Sequence, residues 1–390
     1  MNSPWWLLVL FAAVACGYLL GRLDGRKRQS RKLDGLSQQY LQGLNFLLNE
    51  QPDKAVEVLV TSLDVTEQTL DTHLSLARLF RKRGEFDRAT RIHSMLLESG
   101  KLPAPRRDDV ELELARDYSA GGLLDRAEMI LQQMLERGSR HTDAVRRALM
   151  AIFEQESDWH NALSIGDSLL KNDDSIAPIL AHYCCELAQR MQKASERNAA
   201  RRTLRRALAY DKNCVRASIM LGGLELADAN HEAAIKAWRR VRYQNPDFFG
   251  LVLDDLESAY EAQGKGEAFT RYLAKVCVEQ PSTPVILKLA ARLRERYGDK
   301  AASLFIADYM KSHPTVRGLS QIIDMNLERA DGSAREHLGI LKSLTTRLLS
   351  EQATFQCDQC GFEAHRMHWQ CPTCKKWGSL RPLLDQEVSA

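Results

Sequence analysis

Glycine and proline are scarce in this chain of 390 residues, at 22 and 11, and aromatic side chains make up only 7% of it. That shortage argues against a turn-rich β architecture and leaves a helical chain rich in Leu, Ala, Arg and Glu. The length exceeds what one compact core serves, so several domains or a repeat array are expected. No Walker loop and no dinucleotide glycine fingerprint occur, and His231-Glu232 runs into Ala233-Ala234-Ile235 without the second histidine of a zinc protease. No catalytic constellation is visible, and the chain reads as a non-enzyme. A basic body is missing as well. The formal charge is +3, yet residues 22–32 hold six basic groups and one acidic, so from Leu33 onward 48 basic groups face 50 acidic ones. A nucleic-acid binder carries its excess on the body itself, so no nucleic-acid partner is expected. Nine cysteines are present without the even, close spacing of a disulfide framework. Cys16 lies in the apolar N-terminus, and Cys184, Cys185, Cys214 and Cys277 read as reduced core thiols in a cytosolic setting.

The other four cysteines form the most informative stretch, Phe355 to Trp377. Cys357 and Cys360, then Cys371 and Cys374, make two Cys-x2-Cys pairs, the spacing of a tetrahedral metal site in which each pair wraps one knuckle around the ion. Gly361 follows the first pair, where a tight knuckle needs positive φ, and Pro372 stiffens the second. Four thiolates suit zinc or a single iron. The knuckles, with Phe355, Phe362, Trp369 and Trp377 nearby, resemble rubredoxin, although the linker between them is far shorter, which weighs against electron transfer. His365 and His368 in that linker read as surface residues, because four sulfurs already complete the shell.

At the other end, Pro4 to Gly21 is uncharged and would span about 27 Å as a helix, close to the hydrocarbon thickness of a bilayer. A cleaved signal peptide and a lipoprotein signal ending at Cys16 both lack the basic start such signals carry, so a retained single-span anchor is favoured. Trp5 and Trp6 suit an interfacial belt, and Arg22, Arg26, Lys27, Arg28, Arg31 and Lys32 directly after the span place the body in the cytoplasm.

From Tyr40 a helical repeat takes over. Ala55, Ala89, Ala127, Ala162, Ala200 and Ala234 recur every 34 to 38 residues, continuing less cleanly through Phe269 to Ala302, and that period belongs to the tetratricopeptide repeat. Twelve residues earlier lie Gly43, Ala77, Ala115, Met150, Ala188, Gly222 and Ala290, followed three residues on by bulky groups such as Phe46, Phe80, Tyr118, Phe153, Met191 and Leu293. Small residues let paired helices approach, and the bulky ones fill the gap toward the next pair. Glu225, Glu257 and Phe269 break the pattern, and the third and fifth repeats carry four extra residues. Arg197, Arg201, Arg202, Arg205 and Arg206 share one helix face, as a solvated stripe or as a contact for an acidic segment or lipid phosphate. Two amphipathic stretches, Leu319–Arg329 and Ala334–Leu349, cap the array and leave almost no linker before the cysteines, so the metal module is expected to dock on the last hairpins.

The expected fold is therefore all-α: a tetratricopeptide superhelix with an N-terminal transmembrane helix and a small C-terminal rubredoxin-like module. The boundaries are an anchor at 1–21, a basic juxtamembrane segment at 22–35, about eight repeats at 36–316, capping helices at 317–352, the tetracysteine module at 353–382 and a tail at 383–390. This order resembles the lipopolysaccharide assembly protein B family over essentially the whole chain, most specifically in the anchor and in the CDQCG and CPTC knuckles. The resemblance implies a single-pass inner-membrane adaptor, body in the cytoplasm, that restrains lipopolysaccharide synthesis. Its implied partners are a membrane-bound ATP-dependent protease, the lipid A-committing deacetylase that the protease degrades, and other lipopolysaccharide synthesis and transport proteins. It also implies Cys357, Cys360, Cys371 and Cys374 as ligands of iron or zinc. A membrane-tethered redox protein using an iron tetrathiolate is the alternative.

Overall fold

The computed structural model describes residues 67–100 and 102–383, with isolated positions between 43 and 58. The expected span at 4–21, the basic segment at 22–35 and the tail beyond Leu383 lie outside the described residues. Among those described, no helix is long and apolar enough to cross a membrane. The chain divides into two compact units, one ending at Ser157 and one beginning at Asp158.

The first unit holds α1 (Glu67–Lys82), α2 (Phe86–Glu98), α3 (Ala104–Ala120), α4 (Leu124–Glu136) and α5 (Thr142–Glu156). The turns after α1 and α3 carry Gly84 and Gly122 at positive φ, so each pair folds back as a hairpin. The paired small positions Ala77 and Ala89, and Ala115 and Ala127, are all buried, with Phe80, Ile92 and Leu96 filling the space around the first pair. Charge also crosses the helices: Arg81 of α1 donates to Glu113 and Asp117 of α3 at 2.6 and 2.7 Å, and His93 of α2 bonds Asp117. Burial alone would raise the Glu113 carboxyl, but hydrogen bonds from Arg81 and Arg78 outweigh it and hold it below the usual range.

The second unit continues with α6 (Trp159–Leu170), α7 (Ala177–Lys193), α8 (Arg197–Tyr210), α9 (Val215–Ala227) and α10 (His231–Gln244). A 3₁₀ segment, Pro246–Val252, leads into α11 (Leu253–Glu261), then α12 (Gly266–Glu279), α13 (Thr283–Tyr297) and α14 (Asp299–Met310). The caps are α15 (Val316–Leu327) and α16 (Gly332–Glu351). Ala162, Ala200, Ala234, Phe269 and Ala302 are all fully buried, as the repeat reading requires. The four extra residues lengthen the first helices α3 and α7 to 17 residues each, so the repeats keep their helix pairing.

The irregular positions have explanations in partners from elsewhere in the fold. Glu225 is only 5% exposed because Arg201 donates to it at 2.7 Å, and Glu257 pairs with Lys288 at 2.8 Å and Arg292 at 3.3 Å. Phe269 packs against the Tyr260 ring, with centroids 5.4 Å apart. The arginine stripe is a solvent-facing ladder of ion pairs. Arg197 pairs with Asp228 at 2.7 Å, Arg201 with Glu225 and Asp228, and Arg206 with Asp167 at 2.7 Å; only Arg201 is withdrawn from solvent, the other four arginines being exposed. The stripe is thus a solvated face, one of its two sequence readings, in which three of the arginines pair with acids of neighbouring helices.

Candidate metal centre

After α16 ends at Glu351, the chain forms a three-stranded antiparallel sheet in the order β2-β1-β3: β1 (Phe355–Cys357), β2 (Glu363–Ala364) and β3 (Leu380–Pro382). β1 delivers Cys357 into the first knuckle, which closes through Gly361 N–H to the Cys357 carbonyl at 3.0 Å and Cys357 N–H to the Phe362 carbonyl at 2.8 Å. The second knuckle repeats this pattern. Lys375 N–H donates to the Cys371 carbonyl and Cys371 N–H to the Lys376 carbonyl, both at 2.9 Å. Gly361 and Lys375 occupy the same place after each second cysteine, at φ 75° and 58°. The glycine was expected there from the sequence; the lysine accepts a left-handed conformation that no residue type signalled.

Cys357, Cys360, Cys371 and Cys374 place their four sulfurs within 4.8 Å of one another, with Cys357 and Cys374 at 3.7 Å and Cys360 and Cys371 at 3.6 Å. A regular tetrahedron with metal–sulfur bonds of about 2.3 Å has edges of about 3.8 Å, so the sulfurs fit one zinc or iron ion. His365 and His368 are exposed and belong to no such group. The Ser379 hydroxyl, 3.3 Å from Cys357 Sγ, and the amides of Gln359 and Cys360 pull the Cys357 thiol down to about 6. Cys360 faces the Phe362 amide, but desolvation and the three neighbouring sulfurs outweigh it and push its thiol up to about 12.

The module's own core is minute: Phe355, Cys357, Cys371 and Leu380. Its tryptophans point elsewhere. Trp377 stacks on His182 of α7 at 5.2 Å and meets Trp159 and Tyr183 edge-on at 6.1 and 5.9 Å. Trp369 stacks on Phe248 of the 3₁₀ segment at 5.8 Å, under the Arg216 guanidinium at 5.9 Å, and Arg381 lies over Phe248. Gly378, at φ 60°, passes so close that a Cβ there would lie 3.0 Å from His182 Nε2.

The module is therefore docked, but not on the last hairpins. A 20-residue helix is about 30 Å long, enough to carry the chain past the final helix pairs to the middle of the unit. Sequence reasoning assigned Trp369 and Trp377 to the knuckles and missed their seat. Trp159, His182, Tyr183, Arg216 and Phe248 carry no local pattern that marks them as one surface.

Burial pushes His182 down to about 3, with the nearby Arg216 charge adding to the effect, so it is neutral in the docked state. Its folded value lies below its unfolded one of about 6.5, so the stability it contributes is complete above that pH and declines as the pH falls toward 3. The expected result is earlier undocking of residues 353–382 at pH 5.5 than at pH 7, read by hydrogen exchange, with a flatter profile in His182→Phe. Equal profiles in the two proteins would remove His182 from the docking balance.

Residues 355–382 match the protein family described as rubredoxin metal binding domain. Over nearly its full length the chain is similar to two curated relatives, each called lipopolysaccharide assembly protein B. The one from Escherichia coli K12 is 32% identical, covering 96% of this chain and 97% of the relative. The one from Haemophilus influenzae is 30% identical, covering 97% and 98%. Among solved structures, a tetratricopeptide repeat protein from Parabacteroides merdae aligns with 72% of this chain and 99% of its own, at 15% identity and a TM-score of 0.34.

Proposed function

The chain belongs to the lipopolysaccharide assembly protein B family, and from that premise we propose that it is a non-enzymatic inner-membrane adaptor that restrains lipopolysaccharide synthesis. It does so by presenting the lipid A-committing deacetylase to a membrane-bound ATP-dependent protease, and by gathering other lipopolysaccharide synthesis and transport proteins. The observation that carries this reading is full-length family membership on a scaffold of helical hairpins, an architecture that stacks to make protein-binding surfaces. In the first unit a groove of about 640 Å³, lined by Phe86, Arg88, Arg91, Tyr118 and Leu123 among others, offers both charge and apolar surface to a polypeptide segment.

Cys357, Cys360, Cys371 and Cys374 would hold the metal, which would cross-link the two knuckles and supply folding energy that the four-residue core cannot. The chain's own residues do the rest. Ser379 and the knuckle amides orient and stabilise the thiolates, and Trp369 and Trp377 clamp the folded module onto the helices.

In the proposed topology, residues 4–21 span the membrane and the body faces the cytoplasm. Depleting the protein is expected to lengthen the half-life of the deacetylase without changing its rate of synthesis, measured by pulse-chase. An unchanged half-life would refute the adaptor reading. A reporter fused after Ala390 should be active only in its cytoplasmic form; periplasmic activity would overturn both the topology and the reading of the core cysteines as reduced thiols.

A further inference from the structure

Two buried cysteines outside the metal centre face each other beneath the module's seat. Cys185 lies on α7 and Cys214 caps the N-terminus of α9, and their sulfurs are 4.0 Å apart. Cys185 is wholly buried, whereas Cys214 lines a cleft of about 270 Å³ that also borders His182, Arg216, Trp369 and Trp377. The Ala217 amide at the start of α9 points to the Cys214 sulfur. From this geometry we propose that Cys185 and Cys214 form a peroxide-reactive dithiol, with Cys214 the attacking thiolate reached through the cleft and Cys185 the resolving thiol.

The surroundings separate this pair from the other core cysteines. The hydrogen bond with Cys185 and the Ala217 amide lower the Cys214 thiol despite burial. Burial raises Cys184 to about 12 and Cys277 to about 11, so neither is an attacking thiolate; burial raises Cys185 as well, which suits a thiol that reacts only once the neighbouring Cys214 has been oxidised. In the reaction, the Cys214 thiolate attacks one oxygen of a hydroperoxide. The O–O bond breaks, the departing alkoxide or hydroxide takes up a proton, and Cys214 becomes a sulfenic acid. The Cys185 thiol then attacks that sulfur, the S–O bond breaks and water leaves. Two thiols have lost two electrons in all, and the peroxide has been reduced to an alcohol or water. Closing the sulfurs from 4.0 Å to about 2.05 Å draws α7 against α9, the helices that carry His182 and Arg216 of the seat.

The test treats the full-length, metal-loaded protein with hydrogen peroxide, alkylates the remaining thiols and maps the peptides. The expected result is a Cys185–Cys214 cross-link, with Cys184 and Cys277 recovered as alkylated thiols. Cys214 should be consumed at least about tenfold faster than Cys277, although Cys277 is the more exposed of the two. In Cys185→Ser the sulfenic acid on Cys214 should persist and be trapped by dimedone, and in Cys184→Ser the cross-link should form as before. Recovery of Cys214 as a free thiol, a link between Cys214 and Cys184, or faster loss of Cys277 would each overturn the proposal.

Discussion

Replacing Cys371 and Cys374 with serine is expected to unfold residues 353–382 and to leave the helices of the first unit intact. Four buried residues form the module's core, too little apolar surface to offset the entropy of ordering some 30 residues. Metal capture by four thiolates supplies on the order of 10 kcal/mol or more, and that energy is lost with two of the ligands. The effect spreads within the second unit. Trp377 covers His182, Tyr183 and Trp159, and Trp369 covers Phe248, so an unfolded module uncovers that aromatic surface. Metal analysis should show loss of the ion, and hydrogen exchange should show loss of protection in 353–382 with weakened protection in α7. Full protection in the double variant would show that the knuckles fold without metal. Reloading the wild-type protein with zinc or iron separates the two roles: equal regulation by both forms means a structural ion, and regulation by iron alone favours the redox alternative.

The second large effect is expected at Trp238. Its ring is buried to 1% exposure, donates through Nε1 to the Ile219 carbonyl at 3.2 Å, and lies where Gly222 leaves room for it. A Cβ at position 222 would stand 2.3 to 2.6 Å from three ring atoms, so Gly222→Ala must displace the ring or separate α9 from α10. Trp238→Ala is expected to cost about 3–5 kcal/mol through the cavity it leaves, and Gly222→Ala about 1–3 kcal/mol through overpacking. Because both act on one contact, the double variant should be less destabilised than the sum of the two. Denaturant unfolding of the four proteins checks this. Strict additivity would mean that the glycine is not there for the ring.

The repeat was legible because hairpin packing is local. A small residue is needed wherever two helices twelve positions apart in sequence must approach, and Ala77 with Ala89 or Ala188 with Ala200 meet that need in every described repeat that carries them. Where the pattern failed, at Glu225 and Glu257, the compensating charges sit on other helices, Arg201 on α8 and Lys288 and Arg292 on α13. Spacing along the chain carries no sign of such partners.

By itself the sequence determined the helical period, the turn positions and the four cysteines that converge as a candidate metal site, since each depends on residues within one hairpin or one knuckle. It also determined that Gly361 adopts positive φ, as a tight turn after a ligand demands. Only the tertiary structure decided where the module sits, that Trp369 and Trp377 serve its docking, that Arg197, Arg201 and Arg206 of α8 pair with acids of neighbouring helices, and that Cys185 meets Cys214. Those outcomes depend on side chains brought together from distant helices. Contacts of that kind follow from how helices stack, which no local pattern of residues encodes.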